Sequence, residues 1–150
     1  MDTLATLLPF IQPVAITLGG LFALWTYWGE SKRRRSEWMY RLYSQFYESD
    51  RFKYMRRIID YRPADEIAKL KADLDADEGS EDHEALADYL NFFEFIAIQR
   101  SYGNIKTHEI LDMFEYYLRR MKEQNYLMAY IQNYGYEHLE GLLKDVKDKP

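Results

Sequence analysis

The chain has 150 residues, enough for one domain and too few for a large multidomain enzyme. With 47% hydrophobic and 30% charged residues it is too apolar to be disordered, and the absence of cysteine excludes a disulfide scaffold, a thiolate metal site and a cysteine nucleophile. The net charge of −5 and a pI near 5.3 argue against nucleic-acid binding by the whole molecule, yet a basic block at residues 32–62 is followed directly by an acidic one at 63–88.

Residues 4–28 carry no charge, and Gln12 is their only strongly polar side chain. About 20 apolar residues suffice to cross a hydrocarbon core, so this stretch reads as a transmembrane helix. Trp25, Tyr27 and Trp28 stand where aromatic rings meet lipid headgroups, and Lys32, Arg33, Arg34 and Arg35 follow at once. A cleaved signal peptide would place its positive charge ahead of the apolar run, whereas here Asp2 precedes it. The positive flank then predicts a single-pass protein with its amino terminus outside and its carboxyl-terminal domain in the cytoplasm. The implied division is an anchor over residues 1–31 and a helical domain over 32–150.

Beyond the anchor the apolar spacing is helical throughout. Residues 36–48 repeat Met39, Leu42, Tyr43, Phe46 and Tyr47 on one side, and Ser49-Asp50 can cap a segment over 51–61 built on Phe52, Met55, Ile58 and Ile59. Pro63 breaks the pattern, a short helix follows over 64–74, and residues 75–82 form a polar loop. Residues 84–102 are the most apolar stretch of the domain. Gly103 ends it and Thr107 can cap the next helix, which runs to Gln124. Two short helices, 126–134 and 136–146, are separated by Gly135. The expected fold class is all-α: one transmembrane helix and a cytoplasmic helical bundle.

Residues 90–97 (Leu-Asn-Phe-Phe-Glu-Phe-Ile-Ala), then Gly103-Asn104-Ile105 and Met113-Phe114, resemble a group of small, uncharacterised bacterial proteins. Phe46, Ser49-Asp50 and Arg56-Arg57 are similar to the same pattern, and the likeness covers roughly residues 32–125. The resemblance implies a bacterial inner-membrane protein with a single amino-terminal membrane span and a helical domain of unknown function, and it carries over no catalytic residue.

Asp73, Asp75, Asp77 and Glu84 fall at positions 1, 3, 5 and 12 of a calcium-loop spacing, which can wrap several carboxylates around one hard cation. Glu78 occupies the position that needs glycine for the sharp turn, so a solvated acidic loop accounts for the residues better. Glu94 lies within an aromatic run, and a carboxylate there needs a partner. Arg56 and Arg57 are the expected ones, in a buried ion pair. An enzyme reading would make Glu94 a general acid or base, but no convergent carboxylate or histidine supports it. His83, His108 and His138 show no metal spacing, and no motif calls for a cofactor.

The basic residues Lys32–Arg35, with Arg41, Arg51, Lys53, Arg56 and Arg57 beyond, suit a topology signal with a solvated helix face, then attraction to anionic membrane lipid, and last nucleic-acid binding. Ala15, Gly19 and Ala23 recur every four residues and could let two spans approach closely. These features combine into a membrane-tethered, non-enzymatic interaction or regulatory module, a homo-oligomer or the holder of a protein partner. A membrane-active oligomeric effector is the second reading. A calcium-responsive protein or an enzyme using Glu94 is the third.

Overall fold

The computed structural model describes the backbone of residues 2–61, 64–76 and 80–147, and the side chains of those residues except 2–12, 14, 32, 64, 66 and 73–76. The described residues are helical with no strand. In chain order they form α1 (Asp2–Glu48), a single 3-10 turn (Asp50–Phe52), α2 (Lys53–Tyr61), α3 (Ala64–Ala76), α4 (Glu81–Ser101), α5 (Thr107–Lys122), α6 (Asn125–Asn133) and α7 (Glu137–Asp145). The chain divides into two compact units, Met1–Gln45 and Phe46–Pro150.

The first unit is one continuous helix. Nothing between Trp28 and Glu48 interrupts it, because the basic turn contains neither proline nor a helix-ending glycine motif and is braced along its own face. Arg34 reaches back to Glu30 at 3.1 Å, and Arg33 reaches forward to Glu37 at 2.9 Å, both one turn away. The expected boundary at residue 31 therefore falls in mid-helix.

The membrane span expected here is overturned. Among the described residues no helix is long and apolar enough to cross a membrane. The described apolar run extends over residues 15–24, about 15 Å of helix at 1.5 Å per residue, against a hydrocarbon core of about 30 Å. Trp25, Thr26, Tyr27, Trp28, Gly29 and Glu30 then lower the hydropathy. The remainder of the expected run, residues 4–12 and 14, lies outside the described side chains. The single-pass, inner-membrane placement falls with the span.

The second unit is a helical bundle with α4 at its centre, packed against α2, α3 and α7, while α5 packs on α2, α6 and α7. Its core is aromatic. Phe46, fully buried at the end of α1, has the rings of Phe52, Tyr89, Phe92, Phe93, Phe114 and Tyr117 within 5.0–6.0 Å of its own. Most of these contacts are edge-on or tilted, the arrangement that aligns ring edges with ring faces. Leu139, Leu142 and Leu143 of α7 close the other side of α4.

Helix ends follow their local chemistry. Ser80 accepts the His83 N–H at 3.1 Å and starts α4. Gly103 (φ 74°) and Gly135 (φ 78°) take the left-handed conformation that closes α4 and α6, a backbone state most side chains disfavour. Thr107 does not cap α5 as expected. Lys106 holds the cap position, Glu109 accepts the Lys106 N–H at 2.8 Å, and the Thr107 hydroxyl instead accepts from Arg100 Nε at 2.8 Å.

Candidate interaction surface

Glu94 and Arg56 serve opposite helix ends rather than each other. The Glu94 carboxylate accepts the backbone N–H of Leu139 at 2.7 Å and of His138 at 3.2 Å, the first turn of α7. These amides lack intrahelical partners and carry the positive end of the helix dipole, so a carboxylate from α4 satisfies both demands at once. Arg56 donates to the carbonyls of Phe46 and Tyr47, the latter at 3.1 Å, at the negative end of α1. Its guanidinium also lies 5.4 Å from the Phe46 ring centre. Arg57 is placed differently, over the Tyr54 ring at 5.9 Å. The expected Glu94–arginine ion pair is thus corrected, because unsatisfied helix termini compete for the same charges.

Elsewhere in the bundle, polar side chains join elements. Arg51 forms a two-pronged pair with Asp88, its Nε 2.7 Å from one carboxylate oxygen. Arg100 pairs with Asp145, and the Tyr116 hydroxyl donates to Asp60. His83 is buried on α4, with its Nε2 and the Tyr130 hydroxyl 2.9 Å apart. No group of three or more metal-ligating side chains gathers among the described residues. The calcium spacing lies mostly outside them: the side chains of Asp73 and Asp75 and all of Asp77 are not described, while Glu84 is exposed in the first turn of α4.

Three tyrosines surround the carboxyl end of α1. Tyr89 is fully buried, and its hydroxyl has no hydrogen-bond partner among the described residues. Burial, then the neighbouring Tyr117, pushes its pKa well above the usual phenol value. Burial, then Tyr47 and Asp60, pushes Tyr117 up to about 12. Both groups keep their protons in the fold above pH 10, where the unfolded chain loses them. Their contribution is therefore complete below pH 10, and that of Tyr117 is lost as pH rises through about 12. Ultraviolet titration should show phenols ionising late, and Tyr117→Phe should remove one near pH 12. Ionisation of every tyrosine near pH 10 with the helices intact would contradict this placement.

Among the described residues, a large surface without polar cover lies on α1. Ile16, Leu18, Leu21, Phe22, Leu24, Trp25, Tyr27 and Trp28 are each 55–71% exposed. At 100° per residue they occupy most of the helix circumference, and Ala15, Gly19 and Ala23 lie in the remaining gap. All three small residues are exposed, and a Cβ added at Gly19 would meet nothing within 4 Å. Of the basic flank, Arg33 and Arg34 are exposed and paired within the helix as above, Arg35 is half-buried, and the Lys32 side chain is not described.

Comparison with curated proteins finds no match, and none of the solved structures matches either. Residues 13–135 match the family described as a domain of unknown function, DUF4760. The match takes in the whole exposed apolar stretch at residues 16–28 as well as the bundle through α6. It spans most of the chain, which therefore belongs to the DUF4760 family.

Proposed function

We propose that this protein is a non-enzymatic assembly module in which α1 joins copies of the chain and the helical bundle is what the assembly presents. The observation that carries the reading is the exposure of the large apolar side chains at residues 16–28. Soluble monomers rarely expose a contiguous apolar patch beyond a few hundred Å². Eight large side chains more than half exposed amount to roughly 800–1,000 Å², comparable to one partner's share of a stable interface. Apolar surface of this extent can be covered by other apolar helices, and further copies of α1 supply such faces.

The polar groups support binding over catalysis. Glu94 and Arg56, the charges best placed for chemistry, are engaged by the ends of α7 and α1.

The test is energy transfer between two separately labelled preparations of the full chain after mixing. Transfer is expected with the native sequence and its loss with Leu18→Glu or Leu21→Glu, while helicity and the melting of the bundle persist. Absence of transfer in the native chain would contradict the reading. So would a chain that floats with phospholipid vesicles as a monomer.

A further inference from the structure

We propose that α1 assembles through two different apolar faces, so that each copy contacts two others and the assembly contains three or more chains. This rests on the assembly reading above and states its geometry: each face is covered by the unlike face of a further copy of this chain.

The width of the apolar surface carries the argument. At about 100° per residue, Ile16, Leu24 and Tyr27 group on one side of α1, and Leu18, Phe22 and Trp25 group on nearly the opposite side. Leu21 and Trp28 bridge the two groups, so large apolar side chains sweep roughly 240° of the circumference. All eight are at least 55% exposed. A helix packed on one neighbour buries a stripe of roughly 100° or a little more. One partner therefore leaves one of the two groups in water, and a second partner on the other side covers it. The hydroxyls of Thr17 and Thr26 donate to the carbonyls of Pro13 and Phe22, at 2.8 and 2.9 Å, within the helix itself. They ask nothing of a neighbour.

The charges of the following turns mark the side that stays in water. Glu30, Arg33, Arg34 and Glu37 fall within roughly the remaining third of the circumference or at its edge. Their two pairs, Glu30 with Arg34 and Arg33 with Glu37, are 53–82% exposed. Positions 32 and 35 lie on the other side, but beyond Trp28, the last large apolar residue of the stretch. Neighbours on the two apolar faces leave the paired charges hydrated, so no desolvation cost opposes assembly there.

The two faces are unlike, which decides how they pair. Phe22 and Trp25 place two rings in tilted contact, 6.1 Å between centres. Beside them is a hollow of about 470 Å³ lined by Trp25, Trp28 and Gly29. The other face has two aliphatic side chains and one ring around Gly20, where an added Cβ would meet nothing within 4 Å. Like faces set together would oppose ring to ring and hollow to hollow. Unlike faces let aliphatic side chains enter the hollow while the rings settle over Gly20, which keeps the packing density nearer to even. Contacts of this heterologous kind close into a ring where the rotation permits and continue as a filament where it does not. Both outcomes carry the assembly past two copies.

Full-length Ile16→Glu with Leu24→Glu disables the first face, and full-length Leu18→Glu with Phe22→Glu disables the second. Each double variant is purified, checked for helicity by circular dichroism, and measured by sedimentation equilibrium without detergent, alone and after equimolar mixing. The native chain is expected at three or more times the 18.1 kDa chain mass, and each variant alone at the single-chain mass. The mixture retains one intact face of each kind, so it should yield a dimer of one copy of each variant and nothing larger. Ile16→Gln with Leu24→Gln and Leu18→Gln with Phe22→Gln form an uncharged set with the same expected outcome, and either set that retains helicity decides the question. A native mass of two chains, a first variant that keeps the native mass, variants that each dimerise alone, or a mixture that stays monomeric would overturn the two-face arrangement and leave assembly through α1 standing. A monomeric native chain would overturn both.

Discussion

Phe46→Ala is expected to destabilise the full chain by about 3–5 kcal/mol, measured by urea unfolding at neutral pH. Phe46 is fully buried and has six rings of the bundle within 6.0 Å, drawn from the 3-10 turn, α4 and α5. Removing it takes apolar surface out of the core and leaves a void that so many elements cannot close together. Phe46→Leu should cost less, because it fills part of that volume. The Arg56 guanidinium would also lose the ring it lies against. A loss below about 1 kcal/mol for the alanine variant would mean that the ring is not at the centre of the core.

Glu94→Ala carries the second large effect, a loss of about 2–3 kcal/mol. The carboxylate makes two charge-assisted hydrogen bonds to the first turn of α7, and removing it strands two amides beside a packed helix. Glu94→Gln retains an oxygen acceptor but not the charge that answers the helix dipole, so roughly half the loss is expected. The double variant with Arg56→Ala distinguishes this arrangement from an ion pair. The two residues act at different helix ends, so their effects should add to within about 0.5 kcal/mol. Strong coupling would restore the direct pair.

The bundle was largely legible in the amino-acid sequence, for identifiable reasons. Apolar side chains at helical spacing marked α4, α5, α6 and α7 close to their observed limits, and Gly103 and Gly135 stand where positive φ ends a helix. Two things were not legible. Residues 28–36 change abruptly in hydropathy, which suggests a boundary between anchor and domain. Helix continuity depends instead on backbone propensity and on the one-turn pairs of Glu30 with Arg34 and Arg33 with Glu37. The partner of Glu94 was hidden for a different reason. Backbone amides at the start of α7 are present at every residue type, so no side-chain pattern announces that a carboxylate over 40 residues earlier will meet them.

The central claim is that α1 is covered by further copies of itself. Sedimentation equilibrium of the native full-length chain, over a wide concentration range and without detergent, tests it most directly. The chain mass is 18.1 kDa. The account predicts a mass at least twice that value, falling to the single-chain mass when Leu18 and Leu21 are both replaced by glutamate. A mass of 18.1 kDa at every concentration of the native chain would contradict it.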